Sequence, residues 1–587
     1  MKTATKLVIF FHLIAITALA VSPIAYSDET KARDHGLGRY ASEITVVKVD
    51  TEAPMALNMA VRACAGIKNL KLGGSVYIEM DAHDAQWLDE LDIVRNNVVS
   101  ATEFLDACLA EIPACVRYSF KDQRKLLPNI MTVAAVLEAI PLDVGMTAPC
   151  NDIVFDATVE LAEKNTPLLA TKYVFENYVK QTTGLAMLNP GYAIHTENLS
   201  NPEMTGEAPS RYAYRMLDFV FSQKLFVSFL VNGCVDGHPE KELFHDIVNA
   251  GHWSTPLGVY GYNNSWLVKG GFIYEAQTKC LKSRNMGAIP TETSNLSFFS
   301  TRNVPIEDSS QLQHNAPEDI AYDPGKTYVA FVVGDGDNIS FIMSSRKEWL
   351  RQRLADCEKA TNSCAPLTWS ISPHLARIAP DVLEWYYASS KKTGKDYFIL
   401  PPSGHLYAYP TSLNKKDRKN FILATERDAR ILGVESVVHW DWFETWRNAE
   451  TSFLPNYARA KGAIRGIFPV NVPYIFPTFP WWPSDRFYNV LTGQDGTEVV
   501  VFRPRSWRGI DGKGHRDGDE LFSLTPQDMA NELGGYPPGT VSWVYMTSDG
   551  GLTLENSFME LAKILPPHVQ LVSADTAVKL ALSAARH

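Results

Sequence analysis

The chain contains no CxxC pair and no G-x-S-x-G elbow, and its second half has no His-x-x-x-His pair. The first absence argues against a zinc knuckle or a thioredoxin-type redox site. The second leaves a Ser-His-Asp esterase with little support, and the third speaks against a zinc-dependent deacetylase. Lysine and arginine form no block, and the formal net charge is −11 with a pI near 5.7. Nucleic acid is therefore not the expected partner, and a neutral or weakly charged substrate fits better. Beyond the first 21 residues no run is long and apolar enough to span a bilayer.

What is present is an ordinary globular composition, 45% hydrophobic, 11% aromatic and 21% charged. At 587 residues the chain is too long for one core, and two or three domains are expected. Lys2 and Lys6 precede the apolar run 7–21, and the small residues around 25–27 place cleavage after Ser27. That run is shorter than the ~20 residues of a spanning helix, so a signal peptide (1–27) is preferred to a membrane anchor. A secreted or extracytoplasmic protein is expected. Export favours disulfides for Cys64, Cys108, Cys115, Cys150, Cys234, Cys280, Cys357 and Cys364. The close pairs Cys108/Cys115 and Cys357/Cys364 are the natural local bridges, and the pairing of the other four stays open. Sequons at Asn198, Asn263, Asn295 and Asn338 predict a glycoprotein in a host that glycosylates exported chains.

Strand-like and helical runs alternate along the chain, which predicts an α/β protein. Residues 28–300 read as an N-terminal α/β region with room for two subdomains. The polar, aperiodic stretch 301–326 reads as a linker. In 327–587 the runs 327–338, 367–374, 395–405, 434–444, 464–471, 497–507, 541–550 and 569–575 read as strands. Helical segments at 379–394, 413–433 and 555–567 intervene. That pattern predicts a (β/α) TIM-like barrel, regular or distorted, as the catalytic domain, with an open parallel sheet as the alternative.

A barrel carries its chemistry at the carboxyl ends of its strands. There the runs place Asp335 and Asp337, His374, His405 with Tyr407 and Tyr409, then His439, Asp441 and Glu444, and finally Asp549. Any one such acid is most simply a turn or helix cap; the set is harder to explain that way. "GDGDN" (334–338) reads equally as a turn presenting two carboxylates and as an Asx-rich cap, and 511–520 as a solvated excursion. Residues 439–488 hold 14 aromatics, Trp440, Trp442, Trp446, Trp481 and Trp482 among them. Aromatic faces suit the C–H faces of sugar rings. In the first half, Glu275 lies in a Tyr- and Asn-rich stretch that would make a wall of the same cleft, although domain packing explains that stretch as well.

The stretch "SGHLYAYP" (403–410) resembles the signature of the GxGYxYP family of putative glycoside hydrolases, secreted proteins with an N-terminal α/β region and a catalytic-looking C-terminal domain. Gly404, Tyr407, Tyr409 and Pro410 match the signature, and Leu406 stands where it has its second glycine. The resemblance implies an enzyme that hydrolyses O-glycosyl bonds of an oligo- or polysaccharide by carboxylate acid/base catalysis. Asp337 and Asp441 are the leading catalytic pair, with Asp335, Glu444 and Asp549 as alternates. His405, Tyr407, Tyr409, His439, Trp440, Trp482 and Glu275 are the candidate substrate contacts. No cofactor is expected, a divalent cation at Asp335/Asp337 being the alternative. A non-catalytic carbohydrate-binding surface protein and a metal-dependent polysaccharide deacetylase are the competing functions.

Overall fold

The computed structural model describes residues 43–188, 214–230, 286–301, 305–359, 364–442, 445–472, 485–508, 524–546 and 554–587, with short pieces at 193–194, 204–205, 232–233, 236–250, 252–253, 257–261 and 482–483. All lie within one unit, His35–His587. Nearly every strand pairing is parallel, as the alternation of strand and helix predicts.

Strand Thr45–Lys48 lies between Val76–Glu79 and Asn97–Ser100, and Ala114–Tyr118 lies between Ile140–Asp143 and Asp152–Asp156. A third parallel sheet runs in the order Phe226–Ser228, Leu185–Met187, Leu257–Tyr260, Met286–Ile289. Helix Met55–Leu72 is buried along most of its length, which its run of Ala, Val, Cys and Ile side chains permits.

In the second half, Thr327–Val333 is buried at every residue, as a central parallel strand should be. It pairs along its length with Val541–Met546. The opposite edge is shared, the first part by Val569–Val572 and the last two residues by Leu367–Ser370. Leu367–Ser370 then pairs with Asp396–Ile399. A single bridge, Leu400 to Val437, carries the order on to Ser436–Trp442, which pairs with Gly466–Val472 and through it with Glu498–Phe502. After three intervening residues Ser506–Trp507 pairs with Val541–Met546.

The described residues of the second half thus form two open sheets, and no closed barrel is present among them. Proline accounts for the breaks, because it cannot donate to a ladder. Pro401 and Pro402 end the Asp396–Ile399 ladder after one bridge, and Pro504 interrupts 498–507.

The cysteines correct one expectation. Cys108 bonds Cys64 and Cys115 bonds Cys150, so Cys108/Cys115 is not a bridge, while Cys357–Cys364 is. Cys108 sits on helix Ala101–Glu111, which packs on Met55–Leu72, the helix of Cys64. Cys115 has passed into the next strand, and Cys150 leads into Asp152–Asp156, that strand's neighbour. Cys234 and Cys280 lie outside the described residues. The Asn295 sequon is closed to a glycan: the residue is 2% exposed, and its amide accepts from Ile78 N at 2.7 Å and donates to Ile78 O at 2.8 Å. Asn338 caps helix Ile339–Met343, and Asn198 and Asn263 lie outside the described residues.

Non-reducing peptide maps are expected to recover the linked pairs Cys64–Cys108 and Cys115–Cys150, and no peptide closed by Cys108–Cys115. Removing Cys64–Cys108 is expected to cost ~3–4 kcal/mol, read from denaturant unfolding.

Candidate active site

Three clusters form where the strands of the second half end. The first is built on "GDGDN". Gly334 N donates to Met546 O at 2.9 Å, and Asp335 N donates to Tyr545 Oη at 3.0 Å. Gly336 N donates to Ser370 Oγ at 2.9 Å. A Cβ on Gly336 would lie 1.8 Å from Ser370 O, so glycine is required for this approach. Asp335 is left-handed, with φ at 59°, and its Oδ2 is 3.4 Å from Arg346 Nη2. Burial pushes the Asp337 carboxyl well above its ordinary range, the neighbouring Asp335 charge adds to this, and Arg346 opposes it. The Tyr545 hydroxyl is raised for the same reasons, burial first and the two aspartates next.

The second cluster joins His374, His405 and Asp428. His374 Nε2 donates to His405 O at 2.7 Å, which makes Nδ1 the unprotonated nitrogen of the neutral ring. Burial, with His405 beside it, lowers His374 to about 3, so it stays neutral at any ordinary pH. His405 Nδ1 is 2.7 Å from Asp428 Oδ2, and Arg427 donates to Asp428 Oδ1 at 3.1 and 2.8 Å. Burial alone would raise the Asp428 carboxyl; His405 and Arg427 outweigh it and hold it low.

The third cluster surrounds Asp441, which is fully buried. Its Oδ2 accepts from Thr411 Oγ1 at 2.6 Å and its Oδ1 from Thr445 Oγ1 at 2.8 Å. His439 Nε2 lies 3.5 Å from Oδ2, and the buried imidazole packs on Trp446 and Phe453.

The tyrosine loop ties these clusters together. Gly404 has φ at +102°, and a Cβ there would lie 2.5 Å from Thr425. Ser403 Oγ accepts from Trp440 N at 2.9 Å, and its own proton goes to the carbonyl of Trp440 at 2.7 Å or of Ala408 at 2.9 Å. Tyr407 exchanges two backbone hydrogen bonds with Ala288, at 2.9 and 3.0 Å, which docks the loop on strand Met286–Ile289. Its ring sits 5.1 Å from that of Trp440, and Tyr407 and Tyr409 are 8% and 1% exposed. Leu406 is buried against two glycines: a Cβ on Gly287 would lie 2.6 Å from Leu406 Cβ, and one on Gly258 3.0 Å from Leu406 Cδ2. The leucine fills space that two strands leave open.

Of the candidate residues, Asp335 is brought to Asp337, His374 to His405, His439 to Asp441, and Tyr407 to Trp440. Trp482 is buried, its Nε1 donating to Arg486 O at 2.5 Å. Glu275, Glu444, Asp549, Trp481 and 511–520 lie outside the described residues. Among the described residues no group of three His, Cys, Asp or Glu side chains stands together as a metal cage. Sequence reading missed Asp428, Arg346, Tyr545, Thr411 and Thr445. A signal existed for Asp428: Thr425 and Asp428 interrupt the apolar face that Phe421, Ile422, Ala429 and Leu432 form on helix Lys415–Leu432.

These features define a parallel α/β protein whose polar clusters gather at strand ends, as in α/β enzymes. Residues 325–474 match the family model described as GxGYxYP putative glycoside hydrolase C-terminal domain. The chain is also similar in fold to a crystal structure of a putative hydrolase from Bacteroides thetaiotaomicron VPI-5482. The TM-score is 0.66 at 18% identity, covering 92% of this chain and 95% of that one. A putative polysaccharide deacetylase from Mycobacterium smegmatis aligns over 46% of this chain and 94% of its own at 14% identity. Its TM-score of 0.28 is too low to carry an argument. No curated protein matches the chain.

Two outcomes are expected here. Gly287→Ala destabilises by ~1–3 kcal/mol through overpacking, and adding Leu406→Gly, which removes the Cβ it would meet, gives a double variant less destabilised than the two single losses sum to, read as a double-mutant cycle from chemical denaturation. His374, neutral when folded and titrating near 6.5 when unfolded, contributes stability that is full above pH 6.5 and is lost as pH falls toward 3. At pH 5 that loss is about 2 kcal/mol. Asp84 is lifted to about 6 by burial and the Asp81 charge, and Asp575 to about 6 by burial. Both work in the opposite sense, so the measurement is the difference between wild type and His374→Gln at pH 7 and pH 5.

Proposed function

We propose that this protein is a secreted glycoside hydrolase acting on an oligo- or polysaccharide, with Asp337 as its general acid. The observation that carries this reading is the Asp335–Asp337 pair at the end of Thr327–Val333, inside the segment that matches the hydrolase family model. Glycosidic cleavage needs one carboxyl protonated near neutral pH and a second one ionised. Burial and the Asp335 charge favour protonated Asp337, and Arg346 pairs with Asp335, so the two environments pull the acids apart. Asp335 keeps 23% of its side chain exposed, whereas Asp441 is sealed off and already occupied by two threonines. Asp335 is therefore our choice for the ionised carboxylate, and Asp441 serves to hold Thr411 and Thr445. The succession of strand pairings through Leu400 and 498–507 supports a distorted barrel as the frame.

On a panel of oligosaccharides and aryl glycosides, Asp337→Asn is expected to lower kcat/KM by ~10²–10⁴ with no loss of thermal stability. The wild-type alkaline limb should lie well above the ordinary aspartate range, because Asp337 must stay protonated to donate. Arg346→Gln should move that limb to still higher pH, since Arg346 favours ionised Asp337. Full activity in Asp337→Asn would refute the assignment.

A further inference from the structure

We propose that His405, held in one tautomer by Asp428, is the hydrogen-bond acceptor that the tyrosine loop presents to a bound saccharide. The inference rests on the hydrolase reading above and adds a group to it. Asp428 is an acceptor with two low-lying oxygens, so the 2.7 Å contact requires a proton on His405 Nδ1. Nε2 is then the nitrogen with the lone pair. It makes no hydrogen bond among the described residues, and the side chain keeps 13% of its surface exposed.

The surrounding groups make this orientation rigid. His405 N donates to Thr425 Oγ1 at 3.2 Å, and His405 O accepts from His374 Nε2 at 2.7 Å. Both backbone groups of His405 are thus engaged, one by helix Lys415–Leu432 and one by the end of the Leu367–Ser370 strand segment. Asp428 is 4% exposed and is kept ionised by Arg427, which occupies its other oxygen. A loop clamp alone would not require this. Thr425, His374 and the Tyr407–Ala288 bridge already fix the backbone, and the Asp428–Arg427 pair acts only on the imidazole. The chemistry that matches is a hydroxyl donor: a sugar O–H, or a water lying against one, would donate a hydrogen bond to Nε2. The neutral imidazole accepts this hydrogen bond without taking the proton, so the hydroxyl stays intact and Asp428 keeps the donor hydrogen on Nδ1. Asp428 is here a positioning residue, acting through His405.

The test uses the full exported chain with uniformly ¹⁵N-labelled histidine. Long-range ¹H–¹⁵N spectra should place His405 in the Nδ1–H form, and the His405 Nε2 signal should move when a mixture of neutral oligosaccharides is added. The same spectra of Asp428→Asn should show a mixed tautomer. With a hydrolysed panel substrate, His405→Gln should lower kcat ~10²-fold and Asp428→Asn ~10-fold, both with melting temperatures near wild type. An unchanged kcat in His405→Gln, accompanied by a lowered melting temperature, would overturn the proposal and leave a structural clamp. If wild type hydrolyses nothing on the panel, the hydrolase reading fails by itself. The spectra then decide separately: a moved Nε2 signal supports His405 as a saccharide contact, and an unmoved one overturns it.

Discussion

Two hydrogen bonds between Ala288 and Tyr407 hold the two halves of this chain in register at the candidate site. Through them the last strand of an N-terminal sheet becomes a support for a C-terminal loop, and the loop in turn fixes Ser403, Gly404 and His405. The same junction is reinforced by Ile339 N donating to Pro290 O and by Trp87 Nε1 donating to Met343 O. The GDGDN turn, the tyrosine loop and the edge strand therefore share their restraints. Backbone pairing suits this task because each bond is directional and uses groups that would otherwise be buried unsatisfied.

The second half uses buried charge in two ways. Arg353 and Asp396 are both fully buried, and Trp369 Nε1 also donates to Asp396, at 2.7 Å. With every oxygen engaged, that aspartate serves structure: removing one partner would strand a charge. Asp337 has no such guanidinium of its own. Arg346 is shared with Asp335 and the carbonyl of Gly334, and desolvation is left partly uncompensated. An incompletely paired, partly buried acid is costly for stability, and such sites are where proton chemistry is found.

Much of the fold was legible because parallel strands carry continuous apolar runs and end at polar turns. All eight strand runs read in 327–587 contain observed strands, and helix 413–433 begins at an Asn414 cap and stops at left-handed Gly433. What could not be read was which ends meet. Asp428 lies far along a helix from His405, and nothing in sequence spacing joins them. The cysteine pairing failed for the same reason: adjacency in sequence is overruled when one cysteine ends a helix and the next begins a strand. The glycines of GDGDN were legible as a tight turn, but their need, the approach of Gly336 to Ser370 O, belongs to tertiary packing.

The leucine at 406 has a bearing on how this sequence can vary. A side chain there is accommodated because the facing strands carry no Cβ at 258 and 287. While leucine occupies the loop position, a larger residue at 287 meets its Cβ at once, and one at 258 meets the end of its side chain. Loop and platform therefore constrain one another: three positions far apart in the chain share one allowance of volume, and what one takes the others must leave.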